Sequence, residues 1–150
     1  MAIEVEVQNE SSFTTVPGER EFVQWAAAAL GDRDEAALTI RIVDAGESRE
    51  LNRRYRHRDA PTNVLSFPAD LPAEVGLPVL GDIVICAPLV GEEAAAQAKP
   101  IRAHWAHLTI HGVLHLLGFD HQQPEEAERM ESLETRLLAT LGFSDPYQET

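Results

Sequence analysis

Hydrophobic and polar positions alternate with a period of two over residues 2–8, where Ile3, Val5 and Val7 share one side and Glu4, Glu6 and Gln8 the other. That pattern predicts a half-buried strand. The alternation returns at Leu38, Ile40 and Ile42, and short apolar runs at 64–67 and 81–86 (GDIVIC) predict two further strands. Between them the spacing becomes helical. Phe22, Trp25, Ala26, Ala29 and Leu30 form one stripe, opened by Pro17-Gly18 and stopped by Gly31. A second helix is expected from 44 to about 55, with Leu51 and Tyr55 on one face and arginines around the rest. An alanine-rich helix is expected over 88–99 and a long apolar one over 101–117. A last helix opens at Pro124-Glu125-Glu126 and carries Met130, Leu133, Leu137, Leu138 and Leu141 before Gly142. Pro61 sets a turn at 59–63, and Pro72, Gly76 and Pro78 mark a loop. The order βαβαββααα predicts an α+β fold over residues 1–150: a single domain with a small mixed four-stranded sheet and about five helices.

Composition narrows the class. With 44% hydrophobic and 25% charged residues in 150, the chain is an ordinary globular one. No run approaches the roughly 18 apolar residues of a membrane span, and MAIEVEVQNE lacks the basic and apolar regions of a secretory signal. Cys86 stands alone, so neither an internal disulfide nor a CxxC site is available. The expectation is a cytoplasmic protein with no membrane partner.

Charge complicates the choice of partner. A net charge of −13 opposes a chain-wide grip on polyanions, and DNA is not expected as a partner. Five of the twelve basic residues nevertheless fall together: Arg49, Arg53, Arg54, Arg56 and Arg58. Arginine offers a planar fork suited to phosphate. The window is either a local cationic patch or a solvated helix face paired with Asp44, Glu47 and Glu50.

The sharpest signal is a crowd of histidines. Five of the six lie between 104 and 121, and the densest stretch is HGVLHLLGFDH, residues 111–121. His111 and His115, four apart on a helix, sit one turn apart on the same face. Two imidazole nitrogens so placed can converge on one zinc ion at about 2.0–2.1 Å. Gly118 suits a left-handed helix end, after which the chain can return His121 as a third ligand. Three nitrogen ligands leave tetrahedral zinc an open position, the catalytic arrangement. His104 and His107 share that face more loosely and are expected to pack or support. The spacing coincides with that of metzincin proteases, but their glutamate base is replaced by Gly112, which disfavours peptide cleavage.

Taken together, HGVLHLLGFDH, LNRRYRHRDAPTNVLSFP (residues 51–68) and GDIVIC resemble the YbeY family of endoribonucleases, and the element order fits over nearly the whole chain. The resemblance implies a zinc-dependent, single-strand-specific endoribonuclease that serves 16S rRNA 3′-end maturation and ribosome quality control. It implies one Zn(2+) per chain on His111, His115 and His121, with His115 and Arg56 as catalytic residues. Its partners would be single-stranded ribosomal RNA and the small ribosomal subunit with its proteins. Phe119 stands where the family commonly has tyrosine.

Arg53, Arg54 and Arg58 are candidates for flanking phosphate contacts, and Asp120 for orienting a metal histidine or capping the turn. Thr62, Asn63 and Ser66 suit turn architecture or substrate contact, and Cys86 reads as a small core residue. Two other functions remain open from the residues alone. One is a zinc hydrolase of another phosphoester or of peptides, and the other is a ribosome-associated binding module with structural zinc.

Overall fold

The alternating segments pair into one sheet. A computed structural model describes residues 2–13, 15–69, 79–120 and 122–147. In it β1 (Ala2–Asn9), β2 (Glu35–Val43), β3 (Val64–Pro68) and β4 (Val79–Cys86) lie in the order β1-β2-β4-β3. The β1–β2 and β2–β4 pairs are parallel and β3–β4 is antiparallel, which makes the sheet mixed. Parallel pairing requires a crossover, and α1 (Glu19–Leu30) supplies it between β1 and β2. The path from β2 to β4 carries α2 (Ala45–Arg56) and β3. The loop expected around Pro72, Gly76 and Pro78 lies outside the described residues.

Three helices follow the sheet: α3 (Ala87–Ala96), α4 (Ile101–Leu116) and α5 (Pro124–Thr140). Among the described residues the fold is therefore the α+β arrangement of four strands and five helices that the sequence predicts. The third helix ends earlier than its composition suggests. Ala98 takes φ 54°, and the Lys99 N–H closes onto the Ala94 carbonyl, so the chain reverses before Pro100.

Pleating divides the core. Ile83 and Ile85 join Phe22 and Trp25 of α1 with Ile110, Val113 and Leu114 of α4, while Val84, on the opposite face, packs with Val43, Leu65 and Leu51 of α2. The apolar residues of α4 run nearly all round it, as expected of a helix buried at the centre of a domain. Trp105, Leu108, Ile110, Val113 and Leu114 are all buried. Among the described residues no helix is long and apolar enough to cross a membrane.

Gly112 shows how closely α4 sits on the sheet. A Cβ there would lie 2.8 Å from Cγ2 of the fully buried Ile83. The position that carries a base in metzincin proteases is thus filled by β4 itself. Alanine at 112 gains about 1 kcal/mol of helix propensity but overpacks a filled core at about 1–3 kcal/mol. A net loss of about 1 kcal/mol is expected for Gly112→Ala in chemical denaturation, and a stabilised variant would show that Ile83 yields freely.

Candidate active site

The polar flank of α4 carries the histidines. Successive rings are 6.2 Å (His104–His107), 6.3 Å (His107–His111) and 4.6 Å (His111–His115) apart between centroids. The last pair converges: Nε2 of His111 and Nε2 of His115 are 3.2 Å apart. Two nitrogens bound tetrahedrally to one ion at 2.0–2.1 Å lie roughly 3.3–3.4 Å apart. The two rings are therefore already at the spacing a shared metal needs. Beyond them Gly118 adopts φ 103°, and the Phe119 N–H bonds the Leu114 carbonyl at 3.0 Å, ending the helix as the sequence predicts. His121, the third ligand expected from the spacing, lies outside the described residues. Asp120 is half-buried in the turn after Gly118.

The other nitrogen of His111 meets a residue that the sequence did not single out. Glu134 of α5 is fully buried, with Oε2 at 2.7 Å from His111 Nδ1 and Oε1 at 3.3 Å from His107 Nε2. Burial alone pushes its carboxyl up. Hydrogen bonds and charge from His107 and His111 outweigh that and hold it at about 2, so Glu134 is ionised. The Tyr147 hydroxyl also donates to Glu134 Oε1. Burial and the adjacent carboxylate push that phenol well above its ordinary range.

His107, His111 and Glu134 each bring a ligand atom within 4.8 Å of the others, a group able to hold a metal ion. Its closest contact, 2.7 Å, is the length of a charge-assisted hydrogen bond. With Glu134 taking the proton on His111 Nδ1, the lone pair of Nε2 faces His115. This is the carboxylate–histidine pairing that orients a metal ligand. A signal for Glu134 was present in the sequence. Met130, Glu134 and Leu138 recur at intervals of four, which puts a carboxylate on the apolar stripe of α5.

Arg56 is brought to the same place. It is the last residue of α2, and His57 follows in the left-handed conformation with φ 59°. Arg56, Thr62, Asn63, Ser66, His111 and His115 line one cleft of about 200 Å³. Arg56 makes no ion pair among the described residues. Its neighbours are more engaged: Arg49 pairs with Asp59 at 2.7 Å, Arg53 with Glu50 at 2.6 Å, and Arg54 lies 5.7 Å from the Tyr55 ring centroid. Arg53, Arg54 and Arg58 are exposed and do not line the cleft.

Of the acidic partners considered for this helix, only Glu50 is used by it. Glu47 pairs with Arg41 on β2, and Asp44 accepts hydrogen bonds from Ser11 and Ser12. Within the cleft walls, Ser66 Oγ donates to the Gly112 carbonyl, Thr62 N–H donates to Ser48 Oγ, and Asn63 Nδ2 donates to Glu93. These bonds fix the turn that faces the histidines. Cys86 is buried away from the cleft, and burial raises its thiol.

The model of the family endoribonuclease YbeY matches residues 5–142. The endoribonuclease YbeY of Cellvibrio japonicus (strain Ueda107) is 54% identical over 148 residues, covering 97% of this chain and 84% of that protein. Among solved structures, the solution structure of TM1509 from Thermotoga maritima matches with a TM-score of 0.59 and 23% identity, covering 97% of this chain and 99% of the other. At that identity the structural likeness concerns the fold. The family match spans the sheet, the arginine-bearing helix and the histidines of α4, and by it the chain belongs to the YbeY endoribonuclease family.

Proposed function

We propose that this protein is a zinc-dependent endoribonuclease that cuts single-stranded RNA in 16S rRNA 3′-end maturation and ribosome quality control, acting in the cytoplasm on the small ribosomal subunit. The observation that carries the reading is the convergence of Arg56, His111 and His115 on one cleft. His111 and His115 would hold the ion with His121, one zinc per chain. Zinc in such a site supplies Lewis acidity, which stabilises charge on a phosphoryl oxygen and makes an attacking water more acidic.

The chain's own side chains do the rest. Glu134 keeps the proton on His111 Nδ1 and fixes the ring, so that Nε2 presents its lone pair to the cleft. The Arg56 guanidinium meets the non-bridging oxygens of the phosphodiester and offsets the charge that grows on them. Arg53, Arg54 and Arg58, clustered at the exposed end of α2, contact flanking phosphates and set register along the strand. Asp120, half-buried in the turn after Gly118, would orient a metal histidine.

The reading is tested on substrate. Purified protein should cut a single-stranded RNA oligonucleotide, lose that activity to a chelator, and leave single-stranded DNA and casein largely intact. Chelator-sensitive peptide cleavage without RNA cleavage would overturn it. Glu134 gives a separate check. Glu134→Gln should weaken zinc binding by about 10–100-fold, the usual cost of losing a ligand's carboxylate partner, as read by competition with a chromophoric chelator. Unchanged affinity would show that Glu134 serves folding alone.

A further inference from the structure

The carboxylate beside His111 is itself held by the chain beyond α5. After that helix the backbone reverses at Gly142, with φ 89°, and runs back toward α4. Three contacts fasten the returning segment. The Phe143 ring meets Trp25 of α1 at 6.4 Å between centroids, the Lys99 ammonium donates to the Pro146 carbonyl, and the Tyr147 N–H bonds Asp145 Oδ1 at 2.8 Å. Tyr147 is thereby delivered to the histidines. Its hydroxyl donates to Glu134 Oε1 and lies 3.2 Å from His107 Nε2, and its ring stands edge-on to the His107 ring at 5.3 Å. The two oxygens of Glu134 divide their partners accordingly. Oε1 takes the Tyr147 hydroxyl and His107 Nε2 at 3.3 Å, while Oε2 takes His111 Nδ1 at 2.7 Å.

We infer that Tyr147 is a positioning residue of the metal centre, its hydroxyl fixing the plane of the Glu134 carboxylate and, through it, the ring of His111; the inference rests on the zinc endoribonuclease reading above. The last torsion of a glutamate side chain is broad and sets no preferred plane. Glu134 is 0% exposed, so bulk water cannot supply the missing donors. Its orientation therefore comes from the side chains around it. Without the hydroxyl, Oε1 keeps only the longer His107 contact, the carboxylate can rock, and the bond from Oε2 to His111 Nδ1 loses its fixed direction. An electronic role would act with the opposite sign. A donor on Oε1 draws negative charge away from Oε2, so its loss would strengthen the bond to His111 and tighten zinc. The ring itself is 42% exposed and packs against His107, which leaves the hydroxyl as the group that reaches the carboxylate.

The test measures zinc affinity of the full chain by competition with a chromophoric chelator. Tyr147→Phe, which keeps the ring and removes the hydroxyl, should weaken zinc by about threefold to tenfold, less than the roughly 10–100-fold expected on losing the carboxylate itself. Tyr147→Leu should cost no more than Tyr147→Phe. In a Glu134→Ala background Tyr147→Phe should leave the affinity unchanged, because the hydroxyl acts only through the carboxylate and the two effects are not additive. Should Glu134→Ala fail to fold, the comparison of phenylalanine with leucine at 147 decides. Unchanged or tighter zinc binding in Tyr147→Phe, a loss confined to Tyr147→Leu, or an equal loss with and without Glu134 would each overturn the inference. RNA cleavage is followed alongside. Zinc binding that depends on Tyr147, without RNA cleavage, removes the endoribonuclease reading and leaves the positioning role. Chelator-sensitive RNA cleavage with a zinc affinity indifferent to Tyr147→Phe removes the positioning role and leaves the endoribonuclease reading.

Discussion

Replacing His115 with alanine is expected to strip the protein of most of its zinc and to lower RNA cleavage by three orders of magnitude or more. Its Nε2 lies 3.2 Å from that of His111, so each ring supplies half of a converging pair. Two remaining ligands hold the ion far more weakly than three, because affinity rests on several ligands placed together. His111→Ala should lose as much, with a further cost. Glu134 is fully buried and ionised against His111 and His107, and removing one partner leaves a less compensated buried charge, at about 1–3 kcal/mol. His115→Ala, which leaves Glu134 untouched, should therefore fold more stably than His111→Ala. His104→Ala should keep the zinc, since its Nε2 is bonded to Glu93. Elemental analysis and thermal denaturation of the three variants check this ordering. Full zinc in His115→Ala would remove the site.

How much of this could be read from the chain alone depends on the range of the interaction. The strands were legible because one buried face imposes a period of two: β2 alternates buried and less buried positions from Ala36 to Ile42. The pair His111–His115 was legible because helical geometry fixes neighbours four apart. The chain reversal at Ala98 was not, since alanine carries no preference for φ 54° and the turn is imposed by the docking of α4. Glu134 was missed for a different reason. Read for apolar spacing, α5 yields Met130 and Leu138 and passes over the carboxylate between them. Only the packing of α5 on α4 brings Glu134 to His111, 23 positions away. The arginine window was half legible. Spacing put five arginines on one segment, but the fold decides that Arg49 and Arg53 are paired with acids while Arg56 turns to the histidines.

That distinction makes Arg56 the most informative single position. Arg56 is exposed and makes no ion pair among the described residues, so its side chain contributes little to the fold. Arg56→Ala should keep its stability within about 0.5 kcal/mol of the parent, as surface substitutions usually do. Its zinc content should also be unchanged, because guanidinium is no ligand. Cleavage should fall by about 10²–10³-fold, the loss seen when one donor to developing transition-state charge is removed. The fall should appear in kcat more than in KM if the contact tightens as charge builds on the phosphate. Arg56→Lys restores the charge but not the planar fork, so rescue should be partial. Arg53→Ala or Arg54→Ala should instead weaken RNA binding modestly and reduce its salt dependence, because exposed phosphate contacts act through counterion release. Arg53→Ala also frees Glu50, so its effect combines a lost cation with an unmasked anion. Wild-type cleavage by Arg56→Ala would reduce the window to a solvated helix end. An unfolded Arg56→Ala would make the guanidinium a structural group, and the phosphate contact would then have to be sought elsewhere on the cleft wall.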